Sequence, residues 1–216
     1  MTAIDTGGNF GKDYDAAWLQ QSGIDTVLRY ISSGDQTKCI DANELQSFMA
    51  NRIKIGIIYE LWGGSKGLPG SIDAANGTAD GDYALRTLRA LRVPENVVVY
   101  FAVDTSVDTN ADINTYVVPY FQAAKQALGG YYRIGAYGCG STCAAALSAA
   151  GCDKALLANA TTWDGYNTFL GSGRAAIVQG LGPKLYDPDE IRDPDWGGFT
   201  ALANVVVAGG GVNSPG

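Results

Sequence analysis

The chain has 216 residues, a formal net charge of −7 and no histidine. The length suits a single domain with one sizeable core. The missing histidine excludes Ser-His-Asp and Cys-His catalysis and disfavours an ordinary zinc site, and the acidic balance argues against nucleic acid as a partner.

In chain order, short apolar runs alternate with helical stretches. Thr2–Thr6 reads as a first strand and Asp13–Ser22 as a helix. Thr26–Ile31 is β-branched and aromatic, a strand signature. Asp41-Ala-Asn-Glu44 has the form of a capping box and opens a helix to Asn51. Ile53–Leu61 is the next strand, followed by the Gly-rich stretch Trp62–Gly70 and a long helix to about Leu91. Val97–Asp104 is apolar almost throughout, as a strand covered on both faces should be.

Further on, Asp112–Leu128 reads as a helix, Tyr132–Gly138 as a strand and Ser141–Ala150 as an Ala-rich helix. Lys154–Ala160 and Ala175–Gln179 are strands flanking a short helix near Trp163–Leu170. Leu185–Asp187 is the candidate eighth strand, Ala201–Ala208 the candidate last helix, and residues 209–216 a flexible Gly-rich tail after a domain spanning 1–208. About eight strand–helix units predict an α/β fold, a compact parallel (β/α)8 TIM-type barrel. The runner-up, an open doubly wound sheet, lacks the G-x-G-x-x-G it would need after the first strand.

Four acids fall at expected strand ends: Asp5, Glu60, Asp104 and Asp187. In a barrel those ends share the rim that holds the active site. Strand alternation places Tyr100, Ala102 and Asp104 inward with Gly56, Ile58 and Glu60, leaving Phe101 and Val103 against the helices. Crowded carboxyls drive their pKa values apart, which supplies a proton donor and an anion, as cleavage of a glycosidic bond requires. Glu60, between Tyr59 and Trp62 after a run of isoleucines, is the expected donor. Asp104 is the expected nucleophile or base, with Asp5 holding charge nearby. Tyr30, Tyr59, Trp62, Tyr137, Trp163 and Trp196 are candidate rim aromatics for stacking on sugar rings. Arg29 could pair with a rim acid or face the solvent edge of the helix layer.

No metal or cofactor is called for. Asp108-Thr-Asn110-Ala-Asp112 starts like a calcium loop, but Ile113 stands where Gly is needed, so these residues are read as helix caps. Cys39, Cys139, Cys143 and Cys152 permit two disulfides, although small buried thiols are the simpler reading. No run approaches the roughly 18 apolar residues of a membrane span, and the N-terminus is too short and acidic for a signal peptide.

An ordered set of segments resembles a known family. They are Ile4-Asp5-Thr6, Leu28-Arg29-Tyr30-Ile31, Lys38 ahead of Asn43-Glu44-Leu45, Ile55–Glu60, Tyr100–Asp104 and Ile134–Gly138. Together they resemble the bacterial glycoside-hydrolase-like TIM-barrel domain, which is distantly similar to the family 25 glycoside hydrolases, the lysozymes. The resemblance implies a TIM-type barrel and an acidic pocket containing Asp5, Glu60 and Asp104. It also implies hydrolysis of a cell-wall or amino-sugar polysaccharide, with peptidoglycan first among candidates. Arg29, Tyr30, Trp62, Tyr137, Gln179 and Asp187 are the expected substrate-binding residues. The family 25 Asp-x-Glu pair is reduced here to Ala102-Val103-Asp104, so Glu60 takes the missing role, and the family's Trp-Gln becomes Val178-Gln179. The expected partner is a polysaccharide, with no nucleic acid and no membrane. The expected setting is a monomer outside the cell or on its wall, released without its own signal peptide in the manner of a phage lysin. Two other readings stand beside hydrolysis: a carbohydrate-binding barrel without catalysis, and a metal-assisted hydrolase with the acids as ligands.

Overall fold

The computed structural model describes residues 2–34, 36–61, 70–103, 105–107 and 109–203. Eight strands close into a barrel in sequence order: β1 Ala3–Asp5, β2 Thr26–Ile31, β3 Lys54–Tyr59, β4 Val98–Val103, β5 Arg133–Gly138, β6 Lys154–Leu157, β7 Ile177–Gln179 and β8 Asp187–Ile191. The outer layer is α1 Ala16–Gln21, α2 Ala42–Ala50, α3 Ala74–Ala90, α4 Asn110–Asp112, α5 Val118–Ala127, α6 Gly140–Ala145 and α7 Tyr166–Gly171. π-Helical turns, Ile113–Val117 and Ala146–Ala150, extend α4 into α5 and prolong α6.

The closed eight-stranded barrel matches the expectation, but the regular parallel (β/α)8 plan does not. β8 runs antiparallel to both β1 and β7. Gly180–Tyr186, rich in Gly and Pro, joins β7 to β8 without a helix. So short a link cannot make a parallel crossover and returns the chain in the opposite direction. The eighth strand therefore begins, rather than ends, at Asp187. Because it runs backwards, its first residue still lies on the rim formed by the C-terminal ends of β1–β7, where it pairs with Asp5. Ala201–Ala203 are not helical, and the rest of the expected last helix and the 209–216 tail lie outside the described residues.

Strand alternation divides the core as the sequence predicts. Leu28, Tyr30, Ile58, Val98, Tyr100, Leu156, Ile177 and Trp196 form one buried cluster inside the barrel, with Ala102 and Tyr137 packed against it. Residues of the other parity, including Val27, Ile57, Tyr59, Val99, Phe101 and Val103, join Leu45, Phe48, Leu88 and Phe121 of the helices. The inward glycines are steric requirements: a Cβ on Gly56 would lie 2.5 Å from the Trp196 ring, and one on Gly135 would lie 2.5 Å from the Tyr100 ring. Trp196 is thus a plug, not a rim aromatic. Its carbonyl accepts from the Tyr100 hydroxyl at 2.6 Å, and the next residue, Gly197, accepts from the amide of Val98 at the start of β4. That places Trp196 at the end of the barrel opposite the acids.

Asp15, Asp41 and Asp73 each cap a helix, accepting from the backbone amides of Trp18, Glu44 and Asn76. The expected calcium-like segment is likewise a cap. Thr109 Oγ1 accepts from the Asp112 amide at 3.0 Å, while Asp108 lies outside the described residues. Among the described residues no disulfide forms, and Cys139, Cys143 and Cys152 are buried.

Candidate active site

The rim of the barrel gathers Asp5 from the end of β1, Glu60 from just beyond β3, Gln179 from the end of β7 and Asp187 from the start of β8. Tyr30 on β2 and Tyr137 on β5, both of inward parity, rise between them. Asp5 is only 3% exposed. Its Oδ1 accepts from the Tyr30 hydroxyl at 2.7 Å and its Oδ2 from Gln179 Nε2 at 2.8 Å.

The Gln179 amide is held in one orientation because its Oε1 accepts from the backbone N–H of Asn159 at 3.0 Å. Its nitrogen therefore faces the acids. It lies 2.8 Å from the Tyr137 hydroxyl and 3.5 Å from Asp187 Oδ2, so one side chain spans Asp5, Tyr137 and Asp187. Asp187 Oδ1 accepts in turn from the Gly182 amide at 3.1 Å.

Glu60 does not sit among apolar groups as its sequence neighbours suggest. Its Oε2 lies 2.6 Å from Lys38 Nζ, which also stands 4.6 Å above the Tyr30 ring. Two cavities meet at Tyr30, Glu60 and Asp187. One, of about 150 Å³, reaches Tyr137, Gln179 and Ala102. The other, of about 180 Å³, reaches Asp5, Lys38 and Leu185.

Burial pushes the Asp5 carboxyl up to about 6, against the opposing donors Tyr30 and Gln179, and the nearby charges of Asp187 and Glu60 add to the rise. Asp5 can therefore hold or release a proton near neutral pH, which suits acid–base work. Burial likewise pushes the Tyr30 and Tyr137 hydroxyls well above their ordinary range, so both remain donors.

Among the expected site residues, Asp5, Glu60, Tyr30, Tyr137, Gln179 and Asp187 come together. Arg29 does not join them. Lying between inward Leu28 and Tyr30, it points to the helix layer, where it is buried in an ion pair with Glu44 of α2 (Nε–Oε1 2.6 Å) and donates to the carbonyl of Thr6. Tyr14 completes that cluster, its hydroxyl donating to Glu44 at 2.6 Å. Tyr59 also points outward and donates to Asp80 of α3 at 2.5 Å, as Tyr120 does at 2.9 Å. Trp163 packs half-buried against the outer core. Asp104 and Trp62 lie outside the described residues. Sequence reasoning gave no site role to Lys38, although it belongs to the motif set, and missed Asp189, a buried acid one inward step below Asp187. Lys38 meets Glu60 only through tertiary folding, and Asp189 sits in a polar segment that reads as loop. Among the described residues no group of three or more potential ligands could hold a metal ion.

Comparison with known proteins agrees with this architecture. The Tat-secreted protein Rv2525c of Mycobacterium tuberculosis, solved in complex with L-tartrate, superposes with a TM-score of 0.76 at 20% identity over 91% of this chain and 98% of that one. A B. stearothermophilus protein gives 0.62 at 16% identity over 91% and 97%. The modular autolysin LytC of Streptococcus pneumoniae gives 0.51 at 13% identity over 87% of this chain and 46% of that one. At these identities the likeness is one of fold. No curated protein matches the sequence. The sequence profile of the Rv2525c-like, glycoside hydrolase-like domain matches residues 16–195, and the chain belongs to that family.

Proposed function

We propose that this protein is a glycoside hydrolase acting on an amino-sugar polysaccharide, with cell-wall peptidoglycan as first candidate. The observation that carries the reading is Asp5, a buried rim carboxyl pushed up to about 6, with a second carboxyl, Glu60, nearby across adjoining cavities. Breaking a glycosidic bond needs a carboxylic acid to protonate the leaving oxygen and a carboxylate to act as nucleophile or base. Asp5 takes the donor role that the sequence suggested for Glu60. Glu60, ion-paired with Lys38, is the anionic partner, and Asp104, next after β4, is the alternative base. Tyr30, Tyr137, Gln179 and Asp187 orient the sugar.

Membership of a glycoside hydrolase-like family supports this reading. So does the fold shared with LytC, an autolysin solved with a synthetic peptidoglycan ligand. The fold shared with a Tat-secreted protein supports an extracellular or wall-associated setting. The test is release of reducing ends from purified cell walls and from chitin-type oligomers between about pH 4 and 7. The second reading, a carbohydrate-binding barrel, is favoured by the 2.6 Å Lys38–Glu60 pair, which occupies one of the two carboxyls. Sugar binding without release of reducing ends from any substrate selects it.

A further inference from the structure

Asp189 lies on β8 in register with Ala3 of β1 and Gln179 of β7. Its side chain is inside the barrel, beneath the rim and 7% exposed, and among the described residues neither carboxyl oxygen has a hydrogen-bond partner. A buried carboxylate in a native protein is normally held by a cation or by several donors. The groups facing Asp189 are Asp5 on β1, Asp187 on its own strand, Tyr100 on β4 and Tyr137 on β5. None is a cation. The Tyr100 hydroxyl donates to the Trp196 carbonyl, and the Tyr137 hydroxyl accepts from the Gln179 amide and makes no hydrogen bond to Asp189. An ionised Asp189 would therefore be a buried charge with nothing among the described residues to offset it.

We propose that Asp189 is a positioning residue that keeps its proton at neutral pH and so limits the Asp5–Asp189 pair to one negative charge, with Asp5 as the member that ionises. The asymmetry lies in the donors. Asp5 has two, Tyr30 and Gln179, aimed at its two oxygens. Asp189 has none, so when two coupled carboxyls compete for one proton it stays on Asp189. Burial first, then the charges of Asp5 and Asp187, push its carboxyl well above the ordinary range. A neutral Asp189 lets Asp5 titrate near neutrality, whereas a charged one would drive Asp5 higher. The catalytic meaning of this arrangement rests on the glycosidase reading above, but the charge state does not.

The experiment is carboxyl-carbon NMR of the full chain with labelled aspartate, titrated from about pH 4 to 9. One aspartate should remain protonated at about pH 7 and be absent from Asp189→Asn, while the Asp5 midpoint moves by no more than a few tenths of a pH unit. In Asp5→Asn the Asp189 midpoint should fall, because its like-charged neighbour is gone. The infrared band of a protonated buried carboxyl in the unaltered protein gives the same answer should Asp189→Asn fail to fold. No protonated carboxyl at about pH 7, or a fall of about one unit or more in the Asp5 midpoint on Asp189→Asn, overturns the proposal. Neither readout needs turnover. A protein that cleaves no glycan but retains a protonated Asp189 supports the proposal while failing the glycosidase reading.

Discussion

Gln179 donates to the Asp5 carboxylate at 2.8 Å, although 174 residues separate the two. The contact exists because β8 closes the barrel between β7 and β1, and because the Asn159 amide fixes which end of the Gln179 side chain faces Asp5. Gln179→Leu removes one of the two donors that stabilise the ionised Asp5. A hydrogen bond to a charged group is worth roughly 1.5–3 kcal/mol, so the Asp5 midpoint should rise by about one unit or more, read by carboxyl NMR. An unchanged or lower midpoint would show that Gln179 does not stabilise the anion.

Asp5 as proton donor fixes the sign of a pH dependence. Under the proposed role the protonated form is the active one, so kcat should decline as pH rises through about 6, the value to which burial pushes this carboxyl. Asp5→Asn should abolish that limb and cost roughly 10²–10⁴-fold in rate. The same shift predicts a stability slope. The folded state holds the Asp5 proton more tightly than the unfolded chain, so this group favours the fold at low pH and loses that contribution as pH rises from about 4 to about 6.

The proposed division of labour between Asp5 and Glu60 is tested by leaving-group chemistry. A good leaving group needs little protonation, so Asp5→Asn should recover much of its rate on an activated aryl glycoside. Glu60→Gln, which removes the anionic partner, should not recover. Rescue of Glu60→Gln in place of Asp5→Asn would return the donor role to Glu60, and full activity in both variants would place the chemistry elsewhere.

The barrel was legible wherever burial imposes a pattern. Thr26–Ile31 has in the structure the limits read from sequence, and the inward parity of Tyr100 and Ala102 follows from alternation alone. β8 was not legible in full. Asp-Pro-Asp-Glu-Ile carries no apolar alternation and a single β-branched residue, Ile191, because two of its inward positions hold Asp187 and Asp189, acids that this site tolerates and ordinary cores do not. Six of the site residues could be placed from strand ends and family motifs. Arg29 marks the limit: its parity between Leu28 and Tyr30 already points outward, but its partner Glu44 read as a capping residue. The pairing of Lys38 with Glu60 leaves no local trace at all.

The buried Arg29–Glu44 pair lies on the helix side of β2, outside the acidic rim. Both side chains are nearly inaccessible, at 1% and 2% exposure. Replacing one partner strands the other charge, so Arg29→Met should cost about 3–5 kcal/mol in chemical denaturation. Arg29→Lys should also destabilise, since an ammonium cannot reproduce the contacts to Glu44 Oε1, Glu44 Oε2 and the Thr6 carbonyl together. Arg29→Met combined with Glu44→Leu should recover a large part of the loss. Similar stability in the single and double variants would mean that the charge pairing is not what the fold depends on.

Gly77 tests the packing of α3 on α5. Glycine inside a helix ordinarily weakens it, and replacement by alanine gains roughly 0.5–1 kcal/mol. Here the sign should reverse. A Cβ on Gly77 would lie 2.2 Å from the carbonyl oxygen of Tyr120, and one on Gly81, a turn later, 2.7 Å from that of Ala124. Both obstacles are helix backbone, which cannot rotate away as a side chain can, so the two helices would have to separate. Separation would draw Tyr120 away from Asp80 and loosen the hydroxyl–carboxylate contacts that tie α5 and β3 to α3. Gly77→Ala should therefore lower stability by about 1–3 kcal/mol, the usual range for overpacking. The thermal midpoint would fall accordingly. A variant as stable as the parent or more so would show that the helix crossing has room that the backbone contacts deny.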